Sequence, residues 1–230
     1  MKNFNPTIET HSELQHAYDY YNQKLFNHQL PRALITIQRK YRTYGFFSSR
    51  QFVNRAGNTT VDQITLHPGF FGVRDILETM QTLVHEMVHQ WQSHFGKPGR
   101  GRYQHNHQWA DKMESLGLMP SRTGKPGGAR IGGSMLDYPI DGGLFMRVTN
   151  ALFASGFQIS WIDRYPPFIP DSLEGNPGFA SQLVPPSNIK GSNRTRYGCP
   201  VCNALAWGKV NLNILCGNAS CGAVAFVVLP

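Results

Sequence analysis

The stretch LVHEMVHQWQSHFG, residues 83–96, decides how the chain is interpreted, because two histidines lie four residues apart and a glutamate directly follows the first. On a helix with about 100° per residue, the apolar side chains around this stretch form one broad face, and His85 and His89 lie opposite it. That face consists of Ile76, Leu77, Met80, Leu83, Val84, Met87, Val88 and Trp91. The histidines are therefore not expected to pack in the core. They either bind a ligand or form a histidine pair without a function on a solvated helix face.

The spacing His85-Glu86-x-x-His89 is typical of a catalytic zinc site. Residues i and i+4 project from one helix face, so both imidazoles can bind one metal ion. Glu86 lies about 100° round the helix, where it can act on a water at the metal without ligating the metal itself. The pattern predicts a zinc ion that lowers the pKa of water, with Glu86 as the general base.

A third ligand must come from elsewhere in the chain. Gln92 and Phe95 occupy the places of Gly and His in the HExxHxxGxxH pattern, which excludes that class. His94 lies five residues after His89, on a different helix face, and is a poor candidate.

The better candidates lie on a second predicted helix, at about residues 105–117. His105 shares an inward-facing stripe with Trp109, Met113 and Leu116, so it is the preferred third ligand. Glu114 stays an alternative, because a downstream glutamate completes the site in another HExxH class. His107 is expected to be exposed or to support a ligand.

The four cysteines, Cys199, Cys202, Cys216 and Cys221, form a C-x2-C pair and a C-x4-C pair. Two such pairs predict a structural zinc ion held by four thiolates. No apolar signal segment is visible at the N-terminus, so free thiols or disulfides are the less favoured alternatives.

The chain has a net charge of +8, and acidic residues are missing between Asp19 and Asp62 and again after Glu174. Segments that carry only positive charge favour a polyanionic partner, and DNA is the first candidate, in single-stranded or junction form. The alternative is a solvated basic surface that binds no partner. Tyr197 and Trp207 are predicted to stack on unpaired bases or else to pack the small core around the cysteines. The candidate phosphate contacts are Arg39, Lys40, Arg42, Arg194 and Arg196.

The pattern along the chain predicts an α+β fold. Helices are expected at 13–28 and 74–95, strands at 33–41, 43–52 and 61–68, and a short helix or strand within 148–161. Three segments follow from composition: a domain over 1–162 with a Gly/Pro-rich loop at 119–147, a proline-rich linker over 163–192, and a four-cysteine module over 193–230. No membrane span is predicted, and an intracellular protein is expected, cytoplasmic or nucleoid-associated if bacterial.

Several segments together resemble the SprT-like family of zinc metalloproteases, which includes the Spartan-type DNA–protein crosslink proteases. They are YYNQKLFNHQLPRALITIQRKYRTYGFF, DQITLHPGFF, TMQTLVHEMVHQW, YQHNHQWADKMESLGL, and RYGCPVC with CGNASC. In this alignment His105, Trp109 and Met113 take the family's ligand, aromatic and methionine places, and Asn106 stands where glycine is customary.

The resemblance implies a minigluzincin-like domain, with a small sheet packed on the HExxH helix and a second ligand helix, followed by a C-terminal zinc ribbon. It implies His85, His89 and His105 as ligands of a catalytic zinc ion, Glu86 as the catalytic base, and cleavage of DNA-bound proteins. The rival hypotheses are a DNA-binding or adaptor protein with a non-catalytic zinc site, and a zinc hydrolase acting on something other than protein. Arg102, Tyr103 and Tyr138 are candidates for stabilising an oxyanion.

Overall fold

A computed structural model describes residues 4–99, 101, 104–170, 181–184 and 194–229. The chain separates into two compact units, Met1–Pro185 and Pro186–Pro230. Both units mix helix or turn with strand, so the α+β prediction is confirmed at that level. None of the helices among the described residues is both long enough and apolar enough to cross a membrane.

The first unit begins with helix α1 (Pro6–Phe26), followed by strands β1 (Ala33–Ile37), β2 (Gly45–Val53) and β3 (Thr60–Leu66). Strand β3 lies in the middle of the sheet, parallel to β1 and antiparallel to β2. Strand β2 therefore has one edge that is unpaired within this sheet. A short 3-10 turn, Pro68–Phe70, then leads to helix α2 (Ile76–Phe95).

Helix α2 starts at a capping box, in which the Asp75 side chain accepts from the helix backbone and Glu78 reaches back to the Asp75 backbone. Helix α3 (His107–Ser115) follows, then the antiparallel pair β4 (Leu118–Ser121) and β5 (Leu136–Pro139), and then helix α4 (Leu144–Ala154). The predicted second helix thus begins later than expected, and His105 precedes it. The segment predicted as a short helix or strand is a helix.

The core of the first unit forms where α1, α2, α3 and α4 meet the three-stranded sheet. The apolar face predicted for residues 76–91 is the face of α2 that packs here. The largest fully buried side chains of this unit are Leu14, Tyr18, Tyr21, Phe26, Ile64, Leu66, Met80, Leu83, Met87, Trp109 and Phe145.

Residues 119–147 are not one continuous loop as predicted: residues 122–135 and 140–143 lie outside helices and strands, but the region also contains most of β4, all of β5 and the start of α4. Each strand has only four residues and includes a proline, Pro120 or Pro139, which hides the strand signal in a Gly/Pro-rich composition. Within the predicted linker, residues 171–180 and 185–192 lie outside the described residues. Asp163 binds Arg39 and Phe168 contacts Phe70, so the start of that segment packs on the first unit.

The second unit is a three-stranded antiparallel sheet in the order β7-β6-β8. Its strands are β6 (Thr195–Gly198), β7 (Leu205–Gly208) and β8 (Val227–Leu229). A 3-10 turn at Ala219–Cys221 brings the last cysteine back towards the others. The buried cluster of this unit consists of Cys199, Cys216 and Cys221, with Val224 and Phe226 packed against them.

Candidate metal centre

Three histidines converge in the first unit. One ligand atom from each of His85, His89 and His105 lies within 4.8 Å of the others. The first two project from successive turns of α2, and the third lies just before α3, in a backbone bridge with Gly132. The ring centroids are 5.2 Å apart for His85 and His89, 5.4 Å for His85 and His105, and 4.7 Å for His89 and His105.

Trp109 packs against all three imidazoles, with ring centroids 4.9, 5.4 and 4.5 Å from those of His85, His89 and His105. Its side chain is fully buried. Because a rigid indole contacts every ring, rotation of any one imidazole away from the cluster would meet steric resistance. Trp109 therefore restricts the orientations of the three imidazole rings.

Asn106, at the position where the resemblance leads us to expect glycine, fits the turn before α3 without strain. Its φ is −85° and its ψ is −179°, a conformation open to any residue. Its Oδ1 accepts from the Trp109 backbone N–H at 3.1 Å, capping α3, and from Gln92 Nε2 at 2.7 Å. The asparagine thus ties the start of α3 to the end of α2, which fixes the position of His105 between them.

Two of the histidines have their Nδ1 atoms held by acceptors. His85 Nδ1 lies 2.8 Å from Asp137 Oδ2, and His105 Nδ1 lies 3.1 Å from the Gly132 carbonyl oxygen. A carboxylate and a carbonyl can only accept, so each Nδ1 carries a hydrogen, and each Nε2 has a lone pair when its imidazole is neutral. Neutral imidazoles with this arrangement form a donor set that fits zinc.

The environment acts in opposite directions on the three imidazoles. Burial lowers the pKa of His89 well below its ordinary value, and burial lowers the pKa of His105 to about 4. Burial also opposes the charged form of His85, but the hydrogen bond with Asp137 and the charge of Glu86 outweigh it and raise its pKa. Two of the three ligands are therefore neutral at physiological pH, as metal binding requires.

Glu86 lies buried beside this cluster. Burial raises the pKa of its carboxyl to about 7, against the lowering effects of His85, of a backbone hydrogen bond from Phe47 and of Lys40. Strand β2 comes this close because Gly45 has no side chain. A Cβ there would lie 2.8 Å from the Thr65 carbonyl oxygen, 2.9 Å from Thr82 Cγ2 and 3.4 Å from Glu86 Cγ.

A cleft of about 1140 Å³ opens over these residues. It is lined by His85, Glu86, His89 and His105, by residues 42–47 leading into β2, and by residues 122–125 and 133–139 around β4 and β5. Tyr138 lines the cleft, while Arg102 and Tyr103 lie outside the described residues. The volume is sufficient for a peptide segment.

The other candidate ligands have different partners. Glu114 pairs with Arg130 at 2.7 Å, and His107 is exposed at the start of α3. His94 Nε2 lies 2.6 Å from Asp62 Oδ2 on strand β3. The structure places none of the three in the histidine cluster. Asp137, which the sequence analysis did not single out, contacts it; an isolated aspartate in a Gly-rich stretch gives only a weak signal.

The four cysteines of the second unit also converge. Their Sγ atoms all lie within 4.8 Å of one another, and none forms a disulfide. Sγ of Cys199 lies 3.9 Å from that of Cys221, and Sγ of Cys202 lies 3.7 Å from that of Cys216. Tetrahedral zinc with Zn–S bonds of about 2.3 Å places its sulfurs about 3.8 Å apart, so the cluster fits a four-thiolate zinc site.

The residues predicted to stack on bases have different environments. Tyr197 is buried, so the stacking prediction for it was wrong: its hydroxyl donates to the Lys209 carbonyl at 2.6 Å, inside the small core. Trp207 is 58% exposed and lies opposite the exposed Arg196 in the β6–β7 pairing. Arg194 is also exposed.

The predicted basic group after β1 is partly engaged within the protein. Arg39 donates to both carboxylate oxygens of Asp163, which neutralises its charge. Lys40 Nζ lies 4.0 Å from the ring centroid of Phe46. Arg42 lies over the Tyr41 ring and lines the cleft. Of the three predicted phosphate contacts, Arg39 is therefore the one that the structure supports least.

A mixed α+β domain whose HExxH helix and following histidine converge beside a buried glutamate has the layout of a metallohydrolase. The model of the SprT-like family matches residues 14–125, and the chain belongs to this family. A Salmonella typhimurium protein described as "Uncharacterized protein in mucB 3'region" is 56% identical over 59 residues, which are 26% of this chain and 80% of that protein. No solved structure matches the chain.

Proposed function

We propose that the protein is a zinc-dependent endopeptidase. One observation supports this most directly: a buried glutamate, Glu86, lies beside a three-histidine cluster at a cleft large enough for a peptide. A site that only stabilised the fold would need neither the glutamate nor the opening. Membership of a family of zinc metalloproteases supports the same reaction class.

His85, His89 and His105 would hold the ion. The chemistry that zinc supplies when bound is that of a Lewis acid, which lowers the pKa of water and polarises a peptide carbonyl. A Glu86 carboxylate oxygen accepts the proton of the attacking water and then donates it to the nitrogen of the departing amine. A carboxyl whose pKa is near 7 suits both roles, and the Phe47 backbone N–H fixes its orientation.

We propose that the second unit holds a structural zinc ion through its four cysteines and helps the enzyme to engage DNA. The pairing of β6 with β7 and β8 puts Arg196, Leu205, Trp207, Val227 and Leu229 on one face of the sheet. On this face, called the ribbon face below, Leu205 and Val227 are 43% and 46% exposed. An exposed indole beside an arginine is suited to stack on a base while the guanidinium contacts phosphate. Proteins bound to DNA would then be the preferred substrates.

The decisive experiment is a cleavage assay of a DNA-bound protein by the wild type, Glu86→Gln and Glu114→Gln, with zinc counted in each and single-stranded DNA present or absent. We expect Glu86→Gln to keep its zinc and to lose at least about a hundredfold in rate, because it cannot accept the proton. Glu114→Gln is the matched control and should cleave normally. Equal cleavage by the wild type and Glu86→Gln would refute the protease assignment.

The nucleic-acid proposal has its own test in the variant Trp207→Ala. Loss of one stacked base should weaken single-stranded DNA binding by about tenfold and leave cleavage of a DNA-free peptide unchanged. Val210→Ala, at another exposed apolar residue of the same unit, is the control. DNA binding that persists equally in both variants would place the contact surface elsewhere. If the wild type binds DNA but cleaves nothing, the adaptor hypothesis is the better one.

A further inference from the structure

We propose that Asp137 is a positioning residue of the histidine centre, whose carboxylate fixes the tautomer of His85 and strengthens its Nε2 as a metal ligand. The proposal rests on the metal centre of the proposed function. The matched part of the family model ends at residue 125, so Asp137 lies beyond it.

The contact is short, buried and specific. The distance between Asp137 Oδ2 and His85 Nδ1 is 2.8 Å, and the two side chains are 5% and 11% exposed. Because the carboxylate accepts, the proton on Nδ1 is fixed and the Nε2 lone pair is available to a cation. The other oxygen, Oδ1, is buried and has no hydrogen-bond partner among the described residues. Compensation for burying the carboxylate therefore comes mainly through His85.

The backbone holds this carboxylate in place independently of the side-chain contact. Gln81 lies one helical turn before His85 on α2, and its Nε2 donates to the Asp137 backbone carbonyl at 2.6 Å. Asp137 is also paired with Pro120 in the register of β4 and β5. The aspartate is thus anchored to the helix that carries His85 and to the neighbouring strand.

The same segment also holds another ligand. The Gly132 N–H donates to the His105 carbonyl at 3.0 Å, and the Gly132 carbonyl lies 3.1 Å from His105 Nδ1. Residues 132–137 therefore supply the Nδ1 partners of two of the three histidines. A role limited to packing would not require acceptors at both imidazoles.

Hydrogen bonding to a carboxylate increases the electron density of the imidazole, and loss of such a partner typically weakens metal binding about 10- to 100-fold. We expect that loss in Asp137→Ala. Asp137→Asn retains an acceptor for Nδ1–H without the charge, so its zinc affinity should fall less, by at least about threefold. Asp141→Asn removes an exposed carboxylate four residues away and should behave as the wild type.

The experiment partitions zinc between the full chain and a chelator, and reads the occupancy of the histidine site from the imidazole nitrogen resonances. These resonances separate it from the cysteine cluster and report the His85 tautomer directly. At a pH where His85 of the zinc-free protein is neutral, we expect the wild type to show a single Nδ1–H tautomer and Asp137→Ala to lose it. With a peptide substrate and saturating zinc, kcat should fall by a larger factor than KM changes, because the Asp137 carboxylate acts through its hydrogen bond to His85.

Wild-type zinc affinity and an unchanged His85 tautomer in Asp137→Ala would overturn the proposal. If that variant does not fold, Asp137→Asn decides: an affinity equal to that of the wild type overturns the proposal, and a weaker affinity in a normally folded variant supports it. The zinc measurement needs no protease substrate. A wild type that binds zinc and cleaves nothing would therefore refute the proposed function without touching this inference.

Discussion

The two ligand clusters differ in what surrounds them. The three histidines lie against a core built by four helices and a three-stranded sheet, and polar groups from β5 and the residues before it hold the rings of His85 and His105. The four cysteines lie in a unit whose buried hydrophobic cluster, among the described residues, is three of those cysteines with Val224 and Phe226 packed against them. Many of the remaining apolar side chains of that unit are exposed.

We propose that a metal ion would serve different purposes in the two clusters. The first unit has a large buried apolar core, so we expect it to fold without metal, and an ion held by its histidines would be free to face the cleft. A unit of about 45 residues with so few buried apolar side chains needs a cross-link or a metal to fold. We infer that the ion in the first unit serves chemistry, whereas the ion in the second unit replaces a core.

The largest expected effect is therefore loss of a single cysteine. Cys216→Ser removes one of four thiolates, and because structural zinc contributes on the order of 10 kcal/mol to such small units, β6, β7 and β8 should unfold completely. Amide NMR dispersion would show collapse of the second unit's resonances, while those of the first unit stay in place.

His89→Ala is the matched control, because it removes a ligand from the other cluster. Its free energy of unfolding should fall by no more than about 2 kcal/mol. The contrast between the units fails if Cys216→Ser leaves the second unit folded, or if His89→Ala unfolds the first.

A smaller effect is expected from Asp62, which ties α2 to the sheet without any metal. Its side chain is almost fully buried and accepts from the Arg50 backbone N–H at 2.8 Å, from Gln90 Nε2 at 3.0 Å and from His94 Nε2 at 2.6 Å. Removing it takes one acceptor from each of three donors, of which Gln90 Nε2 keeps its bond to the Pro31 carbonyl, so Asp62→Ala should lower the free energy of unfolding of the first unit by about 3 kcal/mol. Urea unfolding with and without chelator measures this.

Asp62 should also make the stability of the first unit depend on pH. Burial raises the pKa of the Asp62 carboxyl, but the three hydrogen bonds outweigh it, and the net shift is downward. Its contribution to stability is therefore fully present above about pH 4, the ordinary aspartate pKa, and is lost as the pH falls through the lower pKa of the folded state. Asp62→Ala should lack this part of the acid dependence. A stability loss in Asp62→Ala that disappears when zinc is removed would contradict a scaffold independent of metal.

The sequence predicted those parts of the fold and site whose signal is local. The apolar face of α2 and the HExxH spacing depend on helical periodicity, and the convergence of four cysteines follows from two short spacings. The family prediction is confirmed. The placement of His105 came partly from a helical stripe that it does not belong to, because α3 begins two residues later.

The parts that sequence missed depend on contacts between distant segments. Asp137 reaches His85 across 52 positions of the chain. The pairing of β4 with β5 crosses a Gly/Pro-rich loop whose composition gives no strand signal. The burial of Tyr197 also depends on such contacts, because its hydroxyl bonds to Lys209 and Leu212 in the segment after β7, and the residue type alone does not reveal this.

The smallest expected effect is that of Tyr197→Phe, which tests whether the buried Tyr197 stabilises the second unit without taking part in DNA binding at the ribbon face. The Tyr197 hydroxyl donates to the Lys209 carbonyl at 2.6 Å and accepts from the Leu212 N–H at 3.0 Å. Tyr197→Phe should therefore lower the stability of the zinc-loaded second unit by about 1 kcal/mol and leave DNA affinity unchanged. Amide hydrogen exchange in β6 measures the first quantity, and titration with single-stranded DNA measures the second.

Trp207→Phe is the control for Tyr197→Phe, because the Trp207 side chain is exposed. The Trp207→Phe variant should leave hydrogen exchange unchanged and weaken DNA binding slightly. The reverse pattern, with Tyr197→Phe weakening DNA binding at unchanged stability, would make Tyr197 a contact residue. The second unit would then have to open its small core to bind DNA, and zinc alone would no longer account for its fold.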